Sequence, residues 1–239
     1  MPPYPDSVTR AGDTSADERG LRHLVRSTPG LAVLTGGQTG VDTLAARAAL
    51  RADLPVHLIF PKGYRQEDGN LTRSRRRALT GASLHALSSA SFRYRTWTAV
   101  YLADAVILLD PAGGAGCQET ARAASRLGRP LLASGPGLMS GAGLVSGAGL
   151  TSGAGLISGA QVAAWLDQTG ARVLMVAGCR ASLLASAGKT AGLRVQLAAI
   201  AAGASARHAR LLGTSASHPD PGPSRREPSP PRPDGAAAS

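Results

Sequence analysis

Short apolar runs alternate with longer segments of helical periodicity through the middle of the chain. The short runs are almost continuously apolar, which is typical of strands buried on both faces; they span 31–35, 56–60, 83–87, 105–110, 129–134 and 172–177. The longer segments carry apolar residues at i, i+3 and i+4, which predicts helices over 41–52, 93–104, 117–128 and 160–170. The alternation predicts an α/β fold with an open, mainly parallel sheet covered by helices on both faces. Strand order does not follow from the pattern.

Three segments fall outside this alternation. Residues 1–28 are polar and rich in Pro, Asp and Ser, and residues 204–239 are dense in Pro and Ser, so we predict a loose N-terminal arm and a disordered tail. Residues 134–160 repeat the unit S-G-A-G-L-x, with too few copies to close the stacked coils of a β-helix. A glycine-rich insert is therefore predicted there, within a single domain over 29–203.

The net charge of +11 raises the question of a nucleic-acid or membrane partner. Nearly all the basic residues are Arg, and Ala and Gly are abundant, a bias that a GC-rich genome also produces. Aromatic residues make up only 3% of the chain and are not interleaved with the basic ones, which disfavours a single-strand binding platform. With no secretory signal pattern and no dense apolar run of about 20 residues, we expect a cytoplasmic protein without a membrane segment.

A glycine-rich loop follows the first predicted strand. It consists of Gly36, Gly37, Gln38, Thr39 and Gly40, and a helix begins near Val41. Glycines permit positive φ and a close backbone approach, and the N–H groups of a helix N-terminus attract anions. The loop has neither the lysine of a Walker A motif nor the spacing G-x-G-x-x-G. Asp42, in the first turn of the helix, either caps that helix or faces a ligand.

A second loop, after 56–60, supplies charged groups. It contains Lys62, Gly63, Arg65, Glu67, Asp68 and Gly69, followed by Arg73 and the arginine run 75–77. Lys62 provides a positive charge that the first loop lacks. The arginine run fits either a solvated helix face or a phosphate clamp. Arg93 and Arg95 stand close to the start of the next helix and are placed to close over the same crevice.

A third loop repeats the glycine-rich junction after 105–110. Gly113, Gly114 and Gly116 precede or open the next helix. Since the carboxyl ends of parallel strands share one edge, the first and third loops predict a common anion site. Glu119 could contact a sugar hydroxyl, act as an acid or base, or simply favour the positive end of its helix. The cysteines, Cys117 and Cys179, lack neighbouring metal ligands, so no metal site is expected.

The loops resemble those of the molybdenum-carrier proteins, close to the YpsA-like branch of the LOG-type, or lysine-decarboxylase-like, Rossmann proteins. The motifs that carry the resemblance span about residues 30–202 and are TGGQTGVDTLAARAA, FPKGYRQEDGNL, RTWTAVYLADAVILL, GGAGCQETARAASRLGRPLL and VLMVAG. The resemblance implies a Rossmann-like single domain, often oligomeric. It also implies a nucleotide-like or molybdenum-containing anion bound at the strand ends.

Residue by residue, the resemblance covers three loops and departs at a fourth. The matching positions are Gly36, Gly37, Gln38, Thr39, Gly40 and Asp42, then Lys62, Gly63, Asp68 and Gly69, then Gly113 and Gly114. Ala115 stands where the family usually has Thr. In the fourth loop the chain has Met175, Cys179 and Ala181 where the family has Asn, Pro and Glu, but it keeps Gly178, Arg180 and Ser182.

The function implied by the resemblance is that of a molybdenum carrier, binding molybdate, molybdenum cofactor or a nucleotide-like phosphate. The alternative is a LOG-type phosphoribohydrolase that cleaves the N-glycosidic bond of a nucleoside monophosphate, with Glu119 stabilising an oxocarbenium ion or activating water. The LOG pattern P-G-G-x-G-T-x-x-E is only approximated by P-A-G-G-A-G-C-Q-E. We expect a small-ligand binding protein more than an enzyme, and a nucleic-acid-binding module ranks last.

Overall fold

The computed structural model describes residues 14–109, 114–134, 157–187 and 190–216. The helices are α1 (Thr14–Arg26), α2 (Val41–Arg51), α3 (Arg73–Arg77), α4 (Phe92–Leu102), α5 (Ala115–Arg126), α6 (Gly159–Thr169), α7 (Ala181–Ala187) and α8 (Thr190–Ala216), with a 3₁₀ turn at Lys62–Tyr64. The strands are β1 (Ala32–Thr35), β2 (Val56–Phe60), β3 (Arg65–Gln66), β4 (Gly69–Asn70), β5 (Ser83–Ala86), β6 (Ala105–Leu109), β7 (Leu131–Ser134) and β8 (Val173–Gly178).

The main sheet has six strands in the order β5-β2-β1-β8-β6-β7, and each neighbouring pair is parallel. β1 sits between β2 and β8, with Val33 opposite both Val56 and Leu174. β3 and β4 form a separate antiparallel hairpin. The prediction of a single-domain, Rossmann-like α/β fold with a parallel sheet is confirmed. All six predicted strands are present, with bounds that differ by at most two residues from the apolar runs.

The core lies on both faces of the sheet. All residues of β1, β2 and β6 are buried, as expected for strands covered by helices on each side. α8 packs against α2 and α6, whereas α4 packs against α5 and α1. The largest fully buried side chains include Phe60 and Trp165, and most of the others are Leu and Ile. Parallel strands that run in one direction bring the loops after β1, β2, β6 and β8 to one edge.

The N-terminal segment predicted to be a loose arm contains helix α1. Leu21 and Val25, one helical turn apart, pack against the core, and Val25 is 1% exposed. Glu18 accepts a hydrogen bond of 2.8 Å from the hydroxyl of Tyr94. Two apolar residues at i and i+4, together with polar contacts such as that of Glu18, dock this helix. Residues 1–13 lie outside the described part of the chain, and the division into arm, domain and tail stays a prediction.

Helix α8 continues beyond residue 203, where the sequence predicts that the domain ends. Ala204 is buried, and the backbone N–H of Leu31 donates to the His208 ring over 3.0 Å. Most of the predicted repeat insert, over 135–156, and the last residues, 217–239, lie outside the described residues. The end of the insert, from residue 157, belongs to the described residues. Ile157 is buried, and Ser158 caps α6. Among the described residues, no helix is long and apolar enough to cross a membrane.

Candidate functional site

The first turn of α4 joins several strand-end loops. The Arg95 Nη1 atom lies 3.5 Å from Asp42 Oδ2 in the first turn of α2, and Arg93 donates to Glu119 of α5 over 2.8 Å. The Phe92 ring has the guanidinium carbons of Arg65 and Arg180 at 5.6 and 5.8 Å from its centroid. We refer to residues 36–42, 62–70, 92–95 and 178–182 as the strand-end cluster.

Glycines bring the first loop into contact with the fourth. Gly40 has φ 92° and ψ −131°, a conformation that residues with a side chain rarely adopt. A Cβ atom at Gly40 would lie 2.5 Å from both the Cys179 oxygen and the Ala181 nitrogen. The next backbone N–H, of Val41, donates to the Cys179 oxygen over 3.0 Å. This contact requires a glycine and holds the start of α2 against the loop after β8.

Asp42 and Arg95 form a buried ion pair behind the first loop. They are 4% and 7% exposed. Asp42 also accepts a 3.2 Å hydrogen bond from the Gln38 N–H, so it braces its own loop as well as facing Arg95. Burial raises the pKa of Asp42, against the opposing effect of Arg95. Burial likewise lowers the pKa of Arg95, and the positive charge of Arg180 adds to that effect.

Two buried polar atoms beside Gly36 have no hydrogen-bond partner among the described residues. They are Nε of Arg95 and Oγ1 of Thr35, the last residue of β1. The guanidinium lies so close to the backbone that a Cβ at Gly36 would be 1.4 Å from Arg95 Nη1. An unsatisfied buried donor costs about 1–3 kcal/mol, and more when it is charged. A ligand that accepts hydrogen bonds would relieve this cost.

The β3–β4 hairpin covers the first loop. Gln66 donates to the Gly37 oxygen over 2.8 Å, and the Glu67 N–H donates to Gln38 Oε1 over 2.9 Å. Gly36, Gly37, Gln38 and Thr39 are all buried beneath these contacts. The sequence identified this loop but gave no sign that another segment would lie over it.

The Glu67 carboxylate links the first and fourth loops. It accepts hydrogen bonds from the hydroxyls of Thr39 and Ser182, the latter over 3.0 Å. Arg180 Nε lies 4.0 Å from the same carboxylate. In the sequence Glu67 is one charged residue of the second loop without a predicted role, and Arg180 and Ser182 are residues retained in a fourth loop that otherwise departs from the family. That retention was the one signal for the contribution of the fourth loop.

The remaining residues of the second loop are on the surface. Lys62, Gly63, Asp68 and Gly69 are exposed. Asp68 accepts two hydrogen bonds from Arg75, of 2.8 and 2.5 Å, and these lower the pKa of Asp68. The structure therefore does not bring these four residues to the buried pair. Their role as ligand-binding residues stays a prediction.

The third loop is only partly described. Gly113 lies outside the described residues, whereas Gly114 is half-buried and Gly116 is exposed. Glu119 is the fifth residue of α5. It accepts hydrogen bonds from Arg93 (2.8 Å), Trp97 (2.6 Å) and Arg122. Burial raises the pKa of Glu119, but the bonds from Trp97 and Arg93 outweigh it and the pKa is lowered. These donors hold an ionised carboxylate that ties α4 to α5, and a catalytic role for Glu119 stays a prediction.

The two cysteines lie on different elements of the strand-end region. Cys117 and Cys179 are both buried thiols. Within the four described ranges, no group of three or more His, Cys, Asp or Glu side chains is arranged to hold a metal ion. The chemistry that the described part of the cluster offers is that of hydrogen-bond donors and guanidinium groups.

Comparisons with known proteins identify the family. The model of the circularly permutated YpsA SLOG family matches residues 33–197, most of the chain. The solved structure of a "putative molybdenum carrier protein" from Syntrophus aciditrophicus SB aligns with a TM-score of 0.52 and 20% identity, over 73% of this chain and 97% of that one. At that identity the likeness shows the fold alone.

A second solved structure, of AibC, aligns over 85% of this chain and 50% of that one, but its TM-score of 0.25 at 16% identity supports no argument. The comparison with curated proteins gives no match. The chain belongs to the circularly permutated YpsA SLOG family, and the resemblance seen in its motifs is confirmed.

Proposed function

We propose that this member of the circularly permutated YpsA SLOG family binds a small oxyanion or a phosphate-bearing ligand at the strand-end cluster, with Arg95 as the central donor. The main support for the proposal is that the Arg95 guanidinium is buried and has an unsatisfied donor. Its guanidinium is buried against the backbone of Gly36, and its Nε has no hydrogen-bond partner among the described residues. An anion beside it would supply the acceptor that Nε lacks.

The charges around Arg95 support the same function. The guanidinium groups of Arg65, Arg93, Arg95 and Arg180 surround the first turn of α4, against the carboxylates of Asp42, Glu67 and Glu119. Asp42, Glu67 and Glu119 each have one of the other arginines as a partner, so the charge left over is that of Arg65, which is exposed. Such a charge attracts anions towards the site, and salt screens this attraction.

Molybdate, molybdenum cofactor and nucleotides all present anionic oxygen atoms to such a group. We favour a molybdenum-containing anion, in keeping with the name of the solved protein that shares the fold. The site would bind molybdate as a tetrahedral oxyanion and the cofactor or a nucleotide through its phosphate. Function in the cytoplasm and assembly into a homo-oligomer are further predictions from the sequence.

Binding is favoured over N-glycosidic hydrolysis by the surroundings of Glu119. Its carboxylate is already engaged by Arg93, Trp97 and Arg122, and its pKa is lowered. A general acid needs a pKa raised towards the working pH, and a general base needs a free lone pair close to the proton it takes. Glu119 therefore fits an anchor better than it fits either catalytic role.

The test is a thermal melt of the full chain with sodium molybdate, molybdenum cofactor, inorganic phosphate and nucleoside monophosphates, each against sodium chloride at equal ionic strength. A ligand at about 100 times its Kd adds about 2.7 kcal/mol. For a domain of this size that raises the Tm by about 5–11 °C. If none of these ligands raises the Tm, the proposal is wrong.

The same nucleotide samples distinguish the enzyme from the binding protein. Release of free base that is abolished in Glu119→Gln would favour the LOG-type phosphoribohydrolase. A raised Tm with no base released would favour the binding protein.

A further inference from the structure

Glu67 makes the contacts that a bound anion would make. Its carboxylate accepts from the Thr39 hydroxyl after β1 and from the Ser182 hydroxyl after β8, and it faces the Arg180 guanidinium. Two hydroxyl donors and an arginine, supplied by two different strand-end loops, form a donor set suited to any oxyanion. In this structure the negative charge that they hold comes from the chain itself.

The donor set belongs to the same cluster as the buried pair. The positive charge of Arg180 acts on both Asp42 and Arg95 as well as facing Glu67. Arg180 also lies over the Phe92 ring, three residues before Arg95 along α4. A ligand that reaches Arg95 between the first and fourth loops therefore meets the groups that Glu67 now occupies.

The segment that carries Glu67 is a short hairpin with unusual backbone angles. β3 and β4 contain two residues each, too few to be stable on their own. Tyr64 has φ 57°, which is uncommon for a residue with a side chain, and Gly63 and Gly69 have φ 76° and 123°. Tyr64 and Leu71, on either side of the hairpin, pack against the core, and the hairpin itself is held on the first loop by polar contacts of Gln66 and Glu67. Such contacts can be exchanged for contacts to a ligand.

We propose that Glu67 is an internal anion that occupies the ligand position, and that a bound oxyanion displaces it and lifts the β3–β4 hairpin from the first loop. The proposal rests on the proposed function, since it requires an anion site in the strand-end cluster. It assigns a competing role to Glu67 and a donor role to Thr39, Arg180 and Ser182. The anion that wins the competition must carry more charge or accept more hydrogen bonds than one carboxylate does.

The test is calorimetric titration of sodium molybdate and, separately, inorganic phosphate into the wild type, Glu67→Gln and Asp167→Asn. Asp167→Asn is the matched control, because Asp167 is a carboxylate on α6 that is held by two arginines of α8, Arg207 and Arg210. If the Glu67-bound form makes up at least nine-tenths of the wild type, Glu67→Gln binds at least about tenfold more tightly. Asp167→Asn binds as the wild type does. Glu67→Asp, whose shorter side chain cannot span both hydroxyls, also binds more tightly and serves if Glu67→Gln does not fold.

Hydrogen exchange of the hairpin gives a readout that does not depend on affinity. The Leu71 N–H donates to Tyr64, and the Glu67 N–H donates to Gln38. Both amides exchange faster in Glu67→Gln than in the wild type, and faster in the wild type once molybdate is bound.

Each outcome of the titration decides something. Equal or weaker binding by both Glu67 variants, with the wild type still binding, overturns the displacement and leaves the anion site standing. Slower exchange of the hairpin amides on adding molybdate also overturns the displacement. If no variant binds either anion, the displacement is overturned, and the melts with molybdenum cofactor and nucleoside monophosphates decide the proposed function separately.

Discussion

Replacing Gly40 with alanine tests whether the first and fourth loops meet as described. The alanine would have to hold φ 92° and ψ −131°, at a cost of about 1–3 kcal/mol. Its Cβ would also lie 2.5–2.6 Å from backbone atoms of residues 179–181, which cannot rotate away as a side chain can. Overpacking of this kind costs a further 1–3 kcal/mol or so. The free energy of unfolding should therefore fall by about 2–6 kcal/mol.

Urea unfolding followed by circular dichroism measures this loss. With an m-value of about 2 kcal/mol/M, the midpoint should fall by roughly 1–3 M. Gly116→Ala is the matched control: Gly116 lies within α5, and a Cβ there would meet nothing within 4 Å. Alanine favours a helix, so this variant should keep or raise the free energy of unfolding, by up to about 1 kcal/mol. Its midpoint should therefore stay the same or rise by up to about 0.5 M. Equal midpoints for the two variants would refute the close approach of the loops at Gly40.

Two further predictions concern Gly36 and the histidine pair on β2 and β5. Gly36→Ala puts a Cβ 1.4 Å from the present position of Arg95 Nη1, so the guanidinium must move. We expect the free energy of unfolding in urea to fall by about 1–3 kcal/mol. We also expect molybdate to cause no rise in the Tm of this variant. His57 is 5% exposed and stacks on His85, with Nδ1 and Nε2 3.2 Å apart. Burial and the charge of His85 lower the pKa of His57 from 6.5 to about 4. The folded chain thus binds fewer protons than the unfolded chain between these values, and stability should fall by about 1–3 kcal/mol as the pH drops from 6.5 towards 4. His57→Gln should flatten this dependence in urea unfolding series, and an equally steep loss in that variant would contradict the assignment.

Local patterns in the sequence were sufficient to predict the six strands of the main sheet, but not the two-residue strands β3 and β4. The run 56–60 coincides with β2, because a nearly continuous apolar run of five residues is short for a helix and fits a strand that is buried on both faces. The predicted helix 41–52 differs from α2 by one residue. The strand order was not predictable, since the last strand, β8, inserts between β1 and β6. That insertion depends on contacts more than 60 residues apart along the chain.

In the strand-end cluster too, the local features were predictable from the sequence and the long-range contacts were not. The glycines and Asp42 of the first loop were recognisable from their position between a strand and a helix. The contact from Glu67 to Ser182 spans 115 residues, and no local pattern predicts which hydroxyl a surface carboxylate will reach. Helix α8 was also missed. Leu193, Leu197 and Ile200 are buried at helical spacing, but the many alanines on its other faces weaken the contrast between an apolar and a polar face.

The role of Arg95 is the central claim, and calorimetric titration of sodium molybdate into matched arginine variants tests it most directly. Arg129 provides the control, since it too has a buried Nε without a partner among the described residues, but it precedes β7 at the opposite edge of the sheet. Arg95→Lys keeps the charge but loses the planar set of donors.

We predict that Arg129→Lys binds molybdate as the wild type does, whereas Arg95→Lys binds at least about tenfold more weakly, as expected when a charge-assisted hydrogen bond worth about 1.5–3 kcal/mol is lost. Equal affinities for the wild type, Arg95→Lys and Arg129→Lys would contradict the account.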